Sequence, residues 1–139
     1  MAIQQSDVLY TAVATAENGR DGRVATDDGK LDVVVNPPKE MGGSGAGTNP
    51  EQLFASGYSA CFQGALGVVA RQEGADVSGS TVTAKVGIGR NDEGFGIIVE
   101  ISARIPNADE ATARELIEKA HQVCPYSKAT RGNITVTLA

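Results

Sequence analysis

The sequence has no tryptophan, one histidine and only two cysteines, and each shortage removes a class of function. Structural zinc wants four nitrogen or sulfur ligands. One His and two Cys, with neither a C-x-x-C nor an H-x-x-x-H spacing, make a poor set, and no metal is expected. Positive charge is also short: 12 Lys and Arg stand against 17 Asp and Glu, a net charge of -5. Neutralising phosphates needs clustered Lys and Arg, so no nucleic-acid partner is expected. No run of like charge reads as a tail. The opening residues 1–7 lack the basic and apolar regions of a signal peptide, and no apolar segment reads as a membrane span. The expectation is a cytoplasmic protein with no membrane partner.

What is present fits one domain over residues 1–139, with an ordinary 41% of apolar residues and a large number of glycines, 17. A β-rich stretch over 8–15 ends at the turn signal Asn18-Gly19. A short strand over 24–26 leads through Asp28-Gly29 into another over 31–35. Pro37-Pro38 stops this meander, and the glycine-rich run 42–47 follows. Asn49-Pro50-Glu51 opens a helix: Asn caps, Pro suits the first helical position, and Glu suits the positive end of the dipole. The helix is predicted over 50–73 with Gly74 as its stop. It is apolar nearly all round, which places it centrally and predicts that a second subunit covers part of it. Gly57, Ala60, Gly64 and Gly67 narrow it enough for another backbone to approach. Two alternating strands around the 91–94 turn come next. A second helix then opens at Asn107, spaced with Glu110 as a capping box. Pro125 ends it, and Ile134, Val136 and Leu138 mark a last strand. The order βββ-α-ββ-α-β, with strands clustered, is α+β with antiparallel sheets.

Chemistry centres on Cys61 and Cys124. In a reducing compartment such a pair is either buried free thiols or a cycling redox couple. Taken alone, Cys61 reads as a small buried hydrophobe. Cys124 completes the apolar stripe of the second helix, yet lies at its end beside Pro125, where the chain has room to move. A nucleophilic Cys61 must be a thiolate, and an ordinary thiol is only a few per cent ionised at neutral pH. The helix N-terminus is too distant to supply the field. The candidate cations are Arg20, Arg23, Arg71 and His121; Arg20, in a tight turn that could aim it inward, reads equally as a solvated turn residue. Glu51 lies roughly three turns before Cys61, so it serves either as a dipole partner or as a bidentate anchor for an arginine. His121 reads as a proton-transfer aid or a half-exposed bystander. The glycine run matches neither phosphate-binding pattern and reads as a flexible cover over the surface that Glu51 and Cys61 line. Gly57-Tyr58-Ser59-Ala60-Cys61 also misses the G-x-S-x-G of a hydrolase elbow.

Four stretches in order then carry a resemblance. They are Gly19-Arg20-Asp21-Gly22; Asn49-Pro50-Glu51-Gln52-Leu53-Phe54-Ala55; Gly57-Tyr58-Ser59-Ala60-Cys61-Phe62; and His121-Gln122-Val123-Cys124-Pro125-Tyr126-Ser127. Together they closely resemble the organic hydroperoxide resistance family of the OsmC-like superfamily, over nearly the whole chain. The resemblance implies an OsmC-like fold, an intertwined homodimer and a lipoyl-dependent thiol peroxidase. It implies that Cys61 attacks the peroxide and Cys124 closes a disulfide with it. Arg20 would lower the thiolate pKa and orient the peroxide, and Glu51 would hold Arg20. No bound cofactor is implied; the reductant is the dihydrolipoyl group of a carrier protein. Phe54, Tyr58, Phe62 and Met41 suit alkyl and fatty-acid hydroperoxides better than hydrogen peroxide. The rival expectations are a non-enzymatic binding protein with inert cysteines and the general OsmC-type peroxidase branch.

Overall fold

Turn chemistry organises the first half of the chain. In the computed structural model, which describes residues 2–139, β1 (Ala14–Glu17), β2 (Gly22–Thr26) and β3 (Asp32–Val35) form the antiparallel meander, in that order. Asn18 and Gly19 take left-handed φ of 59° and 57° between β1 and β2. At the next turn Asp28 accepts from the Thr26 hydroxyl (2.7 Å) and the Lys30 N–H (3.0 Å), a side-chain closure typical of Asp. The strand predicted from residue 8 pairs only from Ala14. Its neighbour β2 turns away after Thr26, where the Asp27 N–H takes the Val13 carbonyl. Gln5–Asp7 forms a single 3-10 turn instead, and Leu9 and Tyr10 are exposed.

The glycine run is not the flexible cover expected. The Gly43 and Gly45 N–H groups donate to the carbonyls of Pro38 and Pro37 (3.0 Å each), and Thr48 pairs with Val34 and Asn36. A Cβ on Gly43 would lie 2.1 Å from the Pro37 oxygen, so glycine is required by close approach rather than by mobility.

The chain divides into two units, Met1–Pro50 and Glu51–Ala139. The second is built on α1 (Pro50–Glu73), followed by the hairpin β4 (Thr81–Asn91) and β5 (Gly94–Arg104). Next come α2 (Glu110–Val123), α3 (Pro125–Thr130) and β6 (Val136–Leu138). The strand order is β4-β5-β6: β4 and β5 are antiparallel through a two-residue turn, and β6 joins the far edge of β5 in parallel. One face of this sheet, carrying Val99 and Ile101, packs with Tyr58, Phe62, Leu66 and Val69 of α1 and with Leu116, Ile117 and Ala120 of α2.

By length and composition α1 is apolar enough to cross a membrane, so the expectation that no segment reaches that size does not stand. Here its inward face is packed in protein: Tyr58, Phe62 and Leu66 have no exposed surface, and each such burial contributes about 1.5–3 kcal/mol. Within this single chain no backbone lies against Gly64 or Gly67. Nothing approaches a Cβ placed on Gly64, and the Gly57 position is faced by the ring of Tyr126.

The start of α2 also differs from expectation. Asp109, not Asn107, is the cap, accepting from the Thr112 N–H at 2.7 Å. Asn107 is held away by Asp76 and the Ser78 carbonyl, which tie the loop before the helix to the loop that follows α1. Pro125 does not end the helical region. It stops α2, then occupies the first turn of α3, where its missing N–H costs nothing.

Candidate active site

Cys124 lies at the junction of α2 and α3 and belongs to both. Its N–H donates to the Ala120 carbonyl (2.8 Å), and its carbonyl accepts from the Lys128 N–H (3.0 Å). The residue before a proline avoids helical ψ, and Cys124 has φ -59° and ψ 124°. The end of α2 is therefore a fixed corner, not a frayed terminus, and Cys124 is wholly buried in it.

Cys61, half-buried on α1, faces that corner. Both cysteines are free thiols, and their sulfurs share a hydrogen bond at 3.6 Å. A disulfide needs about 2.05 Å between sulfurs, so bonding requires an approach of roughly 1.5 Å and no unfolding. Burial pushes the Cys61 thiol up, and the adjacent Cys124 adds to the rise; the Tyr126 backbone N–H, donating to the sulfur, opposes it. The net direction is upward, away from the thiolate that nucleophilic attack needs.

Three of the four candidate cations are removed on local grounds. Arg23 is committed to Asp32 through two hydrogen bonds of 2.7 and 2.6 Å between β2 and β3. Arg71 follows Cys61 by ten residues on the same helix, about 15 Å along its axis. His121 is held in its neutral form, first by burial and then by the charge of Arg131. Arg20 sits on the left-handed turn of the first unit. Its neighbour Asp21 accepts from the Asn36 side chain at 2.7 Å, which fixes that turn to the end of β3. Glu51 occupies the first turn of α1.

Around the thiols lies a buried hydroxyl chain that sequence reasoning missed. The Tyr58 hydroxyl is 2.8 Å from Ser127 Oγ and 3.1 Å from Thr130 Oγ1, and His121 Nδ1 is 2.8 Å from Ser127 Oγ. Counting protons assigns the directions. Thr130 donates to the Ser127 carbonyl (3.2 Å), so it accepts from Tyr58. Tyr58 then accepts from Ser127, and Ser127 accepts from His121 Nδ1–H. Four protons serve four contacts. Among the described residues no buried side-chain nitrogen or oxygen lacks a partner. The sequence showed Tyr58 as an apolar-helix and motif residue, but not its hydroxyl partners, which lie 69 and 72 residues away.

Next to the corner is an apolar cavity of about 650 Å³, lined by Phe54, Ile97, Pro125, Tyr126, Ala129 and Ile134 among others. Phe54, Tyr58 and Tyr126 form a ring cluster with centroids 5.6–6.0 Å apart. Of the aromatic residues expected to receive an alkyl chain, Phe54 lines this cavity, whereas Tyr58 and Phe62 are both sealed in the core and do not line it. Tyr126, Ile97 and Ile134 take the places the sequence did not assign. An arrangement of two thiols within closing distance beside an apolar cavity can pass oxidising equivalents from an apolar substrate into a disulfide.

Over most of its length the chain is similar to known proteins. Residues 42–139 match the family described as OsmC-like protein. An organic hydroperoxide resistance protein of Xanthomonas axonopodis pv. citri is 54% identical over 133 residues, 94% of each chain. The crystal structure of an organic hydroperoxide resistance protein from Elizabethkingia anophelis superposes with a TM-score of 0.89 at 53% identity, covering 95% of this chain and 96% of that one. OhrB of Bacillus subtilis superposes at 0.86 with 43% identity, covering 94% and 98%.

Proposed function

The chain belongs to the OsmC-like family, in its organic hydroperoxide resistance branch, and on that premise we propose that it is a two-cysteine thiol peroxidase. The observation that carries the proposal is the 3.6 Å separation of two free thiols, one half-buried and one fixed in a helix corner. The Cys61 thiolate attacks the outer oxygen of a hydroperoxide. The O–O bond breaks, an alcohol leaves with a proton, and Cys61 becomes a sulfenic acid. The Cys124 sulfur then displaces hydroxide from Cys61, giving water and the Cys61–Cys124 disulfide. A dihydrolipoyl dithiol on a carrier protein restores both thiols by exchange.

In this reading Arg20 supplies the cation that ionises Cys61, and Glu51 holds Arg20. A cytoplasmic homodimer completes the proposal. The exposed Leu9, Tyr10 and Val34 of the first unit support a second copy, since they form apolar surface of the kind a partner covers.

The apolar cavity supports an organic hydroperoxide as substrate. Burying the equivalent of four methylenes contributes about 3 kcal/mol, or about 100-fold in kcat/KM over hydrogen peroxide. Steady-state kinetics with an alkyl hydroperoxide and with hydrogen peroxide measure this ratio directly. Comparable efficiencies would remove the alkyl-chain role of the cavity.

A further inference from the structure

The hydroxyl chain stands in a definite relation to the two sulfurs. Tyr58 precedes Cys61 by three residues on α1. His121 precedes Cys124 by three residues on α2, and Ser127 follows it by three on α3. Each contact therefore lies about one helical turn from a sulfur-bearing residue. The His121–Ser127 bond spans the corner that Cys124 occupies. A second strut spans it as well, from Arg131 Nη1 to the His121 carbonyl at 2.8 Å. The Ser127–Tyr58 bond then ties this bracketed corner to the helix of Cys61. A helix–proline–helix break is otherwise a place where the chain swings, and here three segments are locked by directional bonds with Tyr58 and Ser127 wholly buried.

We propose that His121, Ser127 and Tyr58 form a positioning bracket that holds the Cys124 sulfur in line with Cys61, setting the rate of disulfide closure without contacting the peroxide. The proposal rests on the two-thiol reading above. Closure balances as written: the Cys124 sulfur pair attacks the Cys61 sulfur and the S–O bond breaks. The departing hydroxide takes the Cys124 proton as water, Cys124 is oxidised and Cys61 is reduced. No further oxidant enters. Such a displacement needs three atoms in line, and a misplacement of about 1 Å costs about 100-fold. A slow closure leaves the sulfenic acid open to a second peroxide, which carries it to the sulfinic acid.

The test uses the full-length protein, Ser127→Ala, Tyr58→Phe and the hydroxyl-restoring Ser127→Thr. Each is reduced, mixed with one equivalent of an alkyl hydroperoxide and quenched over time. Sulfenic acid is trapped with a cyclic diketone, and disulfide and sulfinic acid are counted by intact mass. The expected result is peroxide consumption within twofold of the parent. Closure is expected to slow by about 10- to 100-fold in both deletion variants, the sulfinic share to rise under excess peroxide, and Ser127→Thr to recover closure. A role confined to stability lowers the melting temperature and leaves closure well below it unchanged. Tyr58→Phe keeps the ring and tests the same bond should Ser127→Ala fail to fold. Parental closure rates in the folded variants would overturn the bracket while leaving the peroxidase reading intact. No thiol loss in the parent protein would overturn both.

Discussion

Cys61→Ser is expected to lower hydroperoxide consumption by about 10⁴-fold or more, because a serine hydroxyl is not ionised near neutral pH and leaves no nucleophile at the site. Cys124→Ser should behave differently. The first equivalent of peroxide is still consumed, since the attacking sulfur is untouched, but the resulting sulfenic acid has no thiol within 3.6 Å to receive it. It persists, and excess peroxide drives it to the irreversible sulfinic acid within a few turnovers. Stopped-flow consumption of an alkyl hydroperoxide, followed by intact mass, separates the two variants. Equal loss of the first turnover in both would contradict the division of labour between them.

Arg20→Gln tests where the thiolate comes from. Burial alone pushes the Cys61 thiol up, so without a cation its folded pKa lies above the ordinary thiol value. At a pKa of about 8.5 a thiol is roughly 3% ionised at pH 7, and a raised value leaves less. Ionisation therefore accounts for at least about 30-fold. Loss of a charged donor to the developing alkoxide adds about 100-fold. The sign of the pH dependence follows. The raised pKa keeps Cys61 protonated through neutrality, so the variant's rate should climb about tenfold per pH unit from 7 towards 9. On the proposal that Arg20 holds Cys61 as a thiolate, the parent should be nearly flat there. Second-order rate constants for alkyl hydroperoxide across that range provide the measurement. A flat profile and an unchanged rate in the variant would show that the thiolate is stabilised by something other than Arg20.

How far the sequence carried depended on whether a feature is local. The helix over Pro50–Glu73 was legible because its cap residues, its apolar run and Gly74 are all contiguous, and the β4–β5 hairpin because alternation and turn residues agree. The two cysteines were legible as a possible pair, and the family resemblance proposed their order of action. The helix α3 was hidden because a proline was read only as a terminator, although the same ring fits the first turn of the next helix. The parallel edge pairing of β6, the Asp109 cap and the packing of the glycine run each depend on contacts that spacing does not encode. The Tyr58–Ser127–Thr130 chain is the extreme case. A hydroxyl in an apolar helix gives no hint of partners some 70 residues on, even though burying it without them would be costly. The cavity was half legible: Phe54 was named, but Tyr126 was noticed only as part of a motif around Cys124.

The most direct test of a cycling Cys61–Cys124 pair is to titrate the fully reduced protein with an alkyl hydroperoxide and count free thiols after denaturation. Loss of both thiols per equivalent of peroxide, reversed by dihydrolipoamide, is the expected result. Two intact thiols in excess peroxide would contradict it and mark the cysteines as inert core residues of a binding protein.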